Sequence, residues 1–212
     1  MALHSRLVMI GTRGGRYTTV KRGMDIVLAF CLLMPVGILM AILAVAIRLD
    51  SPGPVLFAQL RTGQHGHRFR MLKFRTMVEN AEELRAGLAH LNVLMPPDFK
   101  VPNDPRVTKV GRVLRRSHLD ELPQLWNVLV GDMSLVGPRP TSFAADTYRL
   151  WHTERLDARP GVTGLWQIRG RHMTEFDERL RLDIRYIDEM SLLTDLRILL
   201  MTIRAVLNRT GA

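Results

Sequence analysis

The chain has 212 residues, a formal net charge of +10 and a pI near 10.9. That length allows one domain with a substantial core, and the positive charge favours polyanionic partners: nucleic acid, anionic lipid or phosphorylated small molecules. The single cysteine, Cys31, excludes a disulfide framework, and no Cys-x-x-Cys or His/Cys cluster indicates a zinc site.

An apolar run near the N-terminus narrows the choice of partner. Residues 24–47, "MDIVLAFCLLMPVGILMAILAVAI", contain one ionisable side chain, Asp25, and exceed the roughly 20 apolar residues that a bilayer helix needs. No small-residue cleavage site follows, which argues against a secretory signal peptide. Pro35 lies near the middle of the run, where its ring predicts a kink.

Basic side chains flank this run on both sides, so the positive-inside rule places both ends in the cytoplasm. We therefore predict a re-entrant helix that bends at Pro35 and leaves the membrane on the face it entered; a single kinked span is the alternative. The flanking cations are Arg6, Arg13, Arg16, Lys21 and Arg22 before the run, and Arg48, Arg61, Arg68, Arg70 and Lys73 after it.

The remaining residues predict a small cytosolic α/β domain, which makes the whole chain an α+β protein. Residues 51–54, "SPGP", end the membrane helix, and two short strands are predicted around a turn at Gly63–Gly66. Lys73 and Arg75 are two residues apart, so they would share one face of a strand. Such a pair suits a phosphate ligand; a solvated edge strand protected by cations is the alternative. A polar helix is predicted over residues 79–90.

The segment "RRSHLDELPQLWN", residues 115–127, places two adjacent carboxylates before an apolar helix face. Because proline is tolerated only in a first turn, Pro123 predicts a helix from about Asp120 to Val130. Unpaired N–H groups at a helix N-terminus favour an ionised carboxylate, so Asp120 is a candidate nucleophile; a simple helix cap is the alternative. The apolar face consists of Leu122, Leu125, Trp126 and Leu129.

The C-terminal third holds a stiff turn, a glycine-rich loop and two helical patterns. In "GPRP", residues 137–140, the flanking prolines hold Arg139 extended, which suits bidentate phosphate binding or, equally, a surface turn. Residues 159–171, "RPGVTGLWQIRGR", form the loop. Helical spacing joins Phe176 to Ile187, and the apolar, arginine-bearing stretch after Leu192 fits an interfacial helix or a core helix.

These motifs, in this order, resemble the bacterial sugar transferase family, the monotopic phosphoglycosyl transferases that move a hexose 1-phosphate from a UDP-sugar to undecaprenyl phosphate. The resemblance rests on "KRGMDIVLAF", "IRLDSPGPVLFAQLRTG", "KFRTM", "NDPRVTKVGRVLRRSHLDELPQLWNVLVGDMSLVGPRP" and "RPGVTGLWQIRGR". They extend over most of residues 21–208. The implied organisation is a flexible basic tail at 1–20, a re-entrant membrane helix at 21–50 and a cytosolic domain at 51–212 that ends in interfacial helices.

The resemblance implies roles for individual residues. Asp120 would be the nucleophile and a ligand of Mg²⁺, and Glu121 would assist the metal or a proton transfer. Phosphate groups would be held by Arg115, Arg139, Lys73 and Arg75, and the nucleotide sugar by Arg159, Gly164, Gln167 and Arg171.

The resemblance also implies partners and a location. The partners would be a UDP-sugar, undecaprenyl phosphate and the phospholipid bilayer, at the cytoplasmic face of the bacterial inner membrane, with a homo-oligomer left open. Nucleic acid is not expected, because no recognition helix or aromatic platform accompanies the positive charge. Ser117 and His118 depart from the Thr-Ser usual before Leu-Asp-Glu in the family. The alternative is a catalytically silent basic module that anchors to the membrane and binds anionic lipid or a biosynthetic partner.

Overall fold

The computed structural model describes the backbone of residues 2–93, 99, 101–170 and 175–208, with side chains from residue 15 onward except those of 146 and 207. Helix α1 spans Ala2–Asp50. Its segment Gly15–Asp50 is long enough to cross a membrane; the most apolar 18 residues of this segment have a mean hydropathy of 2.9, and only 6% of them are buried. An apolar helix with so little protein around it is suited to lipid.

Helix α1 differs from the sequence-based expectation at its N-terminal end and around Pro35. Residues 2–20, predicted as a flexible tail, are helical and continuous with the apolar segment. The helix also runs through Pro35 without an interruption of its secondary structure. The re-entrant bend at Pro35 therefore stays a prediction.

A hairpin follows the membrane helix, as predicted. Strands β1 (Leu56–Thr62) and β2 (Arg68–Phe74) pair antiparallel, with Gln59 opposite Met71. The turn between them contains a short 3-10 segment, Gln64–Gly66, in which His65 and Gly66 have positive φ angles. Alternate residues of β2, among them Phe69 and Met71, are buried, so one face of the hairpin contributes to the core.

Within the described residues, four short helical elements lie between the hairpin and the second sheet. Helix α2 spans Lys109–Ser117 and is capped by Thr108, whose hydroxyl accepts from the N–H of Gly111. A 3-10 turn, Leu119–Glu121, precedes helix α3 at Gln124–Val130, which ends at Gly131 with a φ of +99°. The segment predicted as a polar helix at 79–90 is a 3-10 helix at Glu83–Leu91.

The C-terminal part combines a small parallel sheet with three helices. Strand β3 (Ser134–Val136) pairs with β4 (Gly161–Thr163). A 3-10 helix, Leu150–Asp157, lies between them, and helices α4 (Leu165–Arg169), α5 (Phe176–Asp188) and α6 (Leu192–Leu207) follow. Helix α5 confirms the spacing predicted from Phe176 to Ile187.

One main core joins the two sheets and the helices. It contains side chains from β2, α3, β3, α5 and α6, together with Ala29 of α1. A second cluster, Ile47, Phe74 and Leu114, packs the C-terminal end of α1 against β2 and α2. Helix α6 also exposes Leu193, Leu196 and Leu200. Its placement at a membrane interface stays a prediction.

Candidate active site

The two adjacent carboxylates lie in the turn between α2 and α3. His118 ends α2 in the left-handed conformation, with a φ of +58°, and the 3-10 turn Leu119–Glu121 follows directly. Pro123 then precedes the first residue of α3, Gln124. The prediction that Asp120 begins this helix is therefore wrong: α2 is closed by His118, and the carboxylates occupy a separate turn ahead of α3.

Glu121 joins two cations that come from different parts of the chain. Its Oε1 accepts from Lys73 Nζ on β2 at 2.7 Å and from Arg139 Nη2 at 2.9 Å. Only 16% of the Glu121 side chain is exposed. Burial alone would raise the pKa of Glu121, but Arg139 and Lys73 outweigh burial and hold the pKa well below its usual range. Glu121 is therefore ionised and fixed in position.

The pKa of Asp120 is shifted in the opposite direction, because burial outweighs the neighbouring cations. Partial burial raises the pKa of its carboxyl group, with a further contribution from Glu121, while Lys73, Arg115 and Arg139 oppose that rise. Within the described part of the chain, the Asp120 carboxylate accepts no hydrogen bond from another residue. Cations surround the Asp120 carboxylate, and the described residues leave its oxygens free to react with or bind a ligand.

Two arginines complete the surroundings of Asp120. Arg115, in the last turn of α2, donates from Nε to the hydroxyl of Thr76 at 2.8 Å. Arg139 lies in the turn after β3, where Gly137 N–H donates to Thr163 O at 2.9 Å. The structure thus brings together Asp120, Glu121, Lys73, Arg115 and Arg139, which were predicted from separate motifs.

A comparison with known sequences assigns this arrangement to a family. The profile described as "Bacterial sugar transferase" matches residues 16–209. The chain belongs to the bacterial sugar transferase family. The matched region contains all the residues of the carboxylate cluster and the apolar part of α1.

Several curated relatives of this family member are named for sugar phosphate transfer. The undecaprenyl-phosphate galactose phosphotransferase of Salmonella typhimurium is 42% identical over 208 residues, covering 96% of this chain and 43% of that protein. The UDP-glucose:undecaprenyl-phosphate glucose-1-phosphate transferase of Caulobacter vibrioides is 44% identical over 201 residues, 91% of this chain and 71% of that protein.

A relative named galactosyl transferase CpsE, from Streptococcus agalactiae, is 45% identical over 194 residues, 91% of this chain and 43% of that protein. The chain thus spans less than half the length of two of these three relatives.

Arg75, one of the predicted phosphate-binding residues, lies outside the carboxylate cluster. Strand β2 ends at Phe74, so alternation no longer places Arg75 beside Lys73. Its Nη2 instead donates to the carbonyl of Ser51 at 2.7 Å and to the Ser51 hydroxyl at 3.0 Å. Arg75 therefore anchors the C-terminal end of α1 to the hairpin.

The residues predicted to hold the nucleotide sugar have separate positions. Arg159 is exposed and lines a cleft of about 480 Å³ against α1, together with Lys21 and Arg22. Gly164 packs directly against the turn that carries Arg139. A Cβ at this position would lie 2.3 Å from the Gly137 carbonyl oxygen. Gln167 Nε2 donates to Val162 O at 3.1 Å. Arg171 lies outside the described residues.

A second cavity, of about 130 Å³, opens beside Arg139 and was not predicted. Burial, with a further contribution from the neighbouring Arg139, lowers the pKa of Arg61 to about 10. The sequence had offered Arg61 only as one of the basic flanking residues. The lining combines guanidinium groups with aromatic rings and includes Arg61, Arg155, Arg179, Trp166, Phe176 and Asp183.

The cluster offers one carboxylate that could ligate Mg²⁺. Among the described residues, no group of three or more His, Cys, Asp or Glu side chains could hold a metal. Mg²⁺ binds, however, through one or two carboxylates with waters and substrate phosphates. Asp120 is available for that role, whereas Oε1 of Glu121 is occupied by Lys73 and Arg139.

Proposed function

We propose that this protein transfers a hexose 1-phosphate from a UDP-sugar to undecaprenyl phosphate, at the cytoplasmic face of the bacterial inner membrane. The observation that carries the proposal is the pair of unlike carboxylates: Glu121 is fixed by two cations, and Asp120 beside it accepts no hydrogen bond from the described residues. The names of the Salmonella and Caulobacter relatives support the same reaction class.

In the first step, a carboxylate oxygen of Asp120 attacks the sugar-bearing phosphorus of the UDP-sugar. A P–O bond to Asp120 forms as the P–O bond to UMP breaks, and UMP leaves with the bonding electron pair. The product is an aspartyl phosphosugar. Glu121 does not compete as a nucleophile, because Lys73 and Arg139 hold its Oε1.

In the second step, a phosphate oxygen of undecaprenyl phosphate attacks the same phosphorus. The bond to Asp120 breaks, which regenerates the carboxylate and releases the lipid-linked sugar. Cations are needed in both steps, because each brings a phosphate towards two carboxylates. Arg139 and Lys73 screen Glu121, and Arg115 adds a third positive charge near Asp120.

Mg²⁺ bound through Asp120 and substrate phosphate would supply further charge neutralisation. The helix α1 would enter and leave the bilayer on one face, bent at Pro35, and would bring Asp120 to the level of the lipid phosphate. We propose this re-entrant arrangement because the exposed apolar surface of α1 ends at basic residues on both sides.

Product formation tests the proposal directly. The purified chain is incubated with UDP-glucose, UDP-galactose or acetamido UDP-sugars, with and without undecaprenyl phosphate. We expect UMP and a lipid-linked sugar from at least one donor, with sustained release only when the lipid is present. Asp120→Asn should abolish turnover at an unchanged melting temperature. No product from any donor would favour the silent membrane-anchored module instead.

A further inference from the structure

Backbone hydrogen bonds hold the turn that carries Arg139, residues 137–141, on both sides of this arginine. Gly137 N–H donates to Thr163 O, and Gly161 N–H donates to Pro138 O, both at 2.9 Å. On the other side, Thr62 N–H donates to Thr141 O at 2.9 Å. Strands β3, β4 and β1 therefore fix the residues around Arg139, but these strand contacts do not hold Arg139 itself.

A buried ion pair holds Arg139. Arg155 Nη2 donates to the backbone carbonyl of Arg139 and to Asp183 Oδ2, the latter at 2.6 Å. Through Arg155, the pair thus ties the backbone carbonyl of Arg139 to the 3-10 helix Leu150–Asp157 and, through Asp183, to helix α5.

The same pair reaches the end of the turn through a tyrosine. Arg155 Nη1 donates to the hydroxyl of Tyr148 at 3.2 Å, and that hydroxyl contacts the hydroxyl of Thr141. Pro138 and Pro140 further restrict the backbone on either side of Arg139. Arg139 therefore has little backbone freedom, which is what a guanidinium needs to meet Glu121 at 2.9 Å.

Stability alone does not account for this ion pair. The side chains of Arg155 and Asp183 are 4% and 2% exposed, and desolvating two charges offsets much of their mutual attraction. Asp183 also lies between Leu180 and Ile187 on the apolar face of α5, where an apolar residue would pack at lower cost. A positional role explains why charges occupy this place.

We propose that Arg155 and Asp183 are positioning residues that fix the backbone of Arg139, so that its guanidinium is held ready for a substrate phosphate. This inference rests on the proposed function, because the phosphate-binding role of Arg139 belongs to it. Neither residue needs to contact substrate. Their removal acts through Arg139.

A double-mutant cycle tests this dependence. Asp183→Asn is measured in the wild-type and Arg139→Ala backgrounds, with kcat/KM for the preferred UDP-sugar and Kd for UDP as readouts. We expect a roughly ten-fold loss in both quantities when Arg139 is present and no further loss when it is absent. The UDP affinity keeps the cycle measurable if Arg139→Ala has no detectable turnover. Arg155→Lys should behave in the same way.

Asp195→Asn is the matched control. Asp195 is also a fully buried aspartate on a C-terminal helix, and it accepts from Lys21 Nζ at 2.8 Å and from Tyr186 Oη at 2.7 Å. Its replacement should lower the melting temperature, as Asp183→Asn should, but any loss of activity should be equal in the two backgrounds.

Equal losses from Asp183→Asn with and without Arg139, or no loss at all, would overturn the positioning role. A wild-type protein that binds UDP but transfers no sugar would instead contradict the proposed function. The affinity cycle would then still decide whether Arg155 and Asp183 act through Arg139.

Discussion

Two adjacent carboxylates in one turn have opposite electrostatic surroundings. Lys73 and Arg139 bind Glu121 and lower its pKa, whereas burial raises the pKa of Asp120. Opposed shifts at neighbouring groups are typical of sites in which the two groups have different tasks. A cap or a solvated surface turn, the simpler interpretations of the sequence, would not need three cations at one pair of carboxylates.

The geometry of the Arg139 side chain matters more than its charge. Lysine keeps the charge but loses the planar fork that can bind Glu121 and a phosphate together. We expect Arg139→Lys to lower kcat/KM roughly ten-fold or more. Steady-state kinetics of UMP release measure the effect, with Arg185→Lys, an exposed residue of α5 paired with Glu189, as the control. Unchanged kinetics would make the Arg139 turn purely structural.

The acid side of the pH profile should report on Asp120. Its carboxyl group must be ionised to attack, so activity falls as the pH drops through its pKa. Lys73 lowers this pKa, whereas burial and Glu121 raise it. Removing the charge of Lys73 should therefore raise the pKa of Asp120. We therefore expect the acid limb of kcat/KM to move to higher pH in Lys73→Gln. The exposed Lys109→Gln should leave that limb in place, and an unmoved limb in both variants would contradict this account of Asp120.

At the scale of elements, the sequence predicted those structures that depend on local patterns. The β1–β2 hairpin and helix α5 are confirmed, because alternation and helical spacing report on local geometry. The start of α3 was placed too early, since the positive φ of His118 that closes α2 leaves no signature in the apolar pattern. Arg75 contacts Ser51 and not the carboxylate cluster, because alternation ends with the strand, and its phosphate-binding role stays a prediction.

The Arg155–Asp183 pair shows why part of the site could not be predicted. Its members are 28 residues apart and meet only when α5 packs against the 3-10 helix Leu150–Asp157. One local signal was available: Asp183 is a carboxylate at helical spacing from Leu180 and Ile187, on an apolar face. A charge at such a position requires a buried partner, but the sequence does not say which one.

Helix α2 is packed closely against the end of the hairpin at one glycine. A Cβ on Gly111 would lie 2.1 Å from the Thr76 carbonyl oxygen, so Gly111→Ala must displace the helix or the strand end. Because Arg115 binds the Thr76 hydroxyl from the same helix, activity should fall together with stability. We expect a loss of roughly 1–3 kcal/mol in unfolding free energy. Gly87→Ala, where a Cβ meets nothing within 4 Å, should change neither thermal denaturation nor activity.

For the whole molecule, the question is how α1 meets the bilayer. The helix exposes apolar side chains along most of its length, for example Phe30, Met34, Ile38 and Ile42, which only lipid can cover without a protein partner. A re-entrant helix would place a soluble UDP-sugar and a lipid phosphate on the same side, at Asp120. A spanning helix would place residues 15–22 on the opposite side from the site.

Thiol labelling distinguishes the two topologies. In a Cys31→Ser background, Thr19→Cys and His67→Cys place single exposed thiols before and after the apolar segment. If α1 re-enters, a membrane-impermeant reagent should label both only from the cytoplasmic side. Labelling from opposite sides would establish a crossing. Pro35→Leu should favour a straight helix, about 36 Å long over residues 24–47, and labelling of Thr19→Cys from the outer side in this variant would show that straightening overcomes the Lys21–Asp195 ion pair.

The central claim is that Asp120 carries the phosphosugar, and mass spectrometry of the intact protein and of its peptides, after incubation with the preferred UDP-sugar, tests it most directly. Without undecaprenyl phosphate, we expect one equivalent of UMP per protein and a hexose phosphate adduct on the peptide that contains Asp120. Adding the lipid phosphate should remove the adduct, and Asp120→Asn should prevent it. Lipid-dependent turnover with no adduct at any time, or an adduct on another residue, would contradict the account.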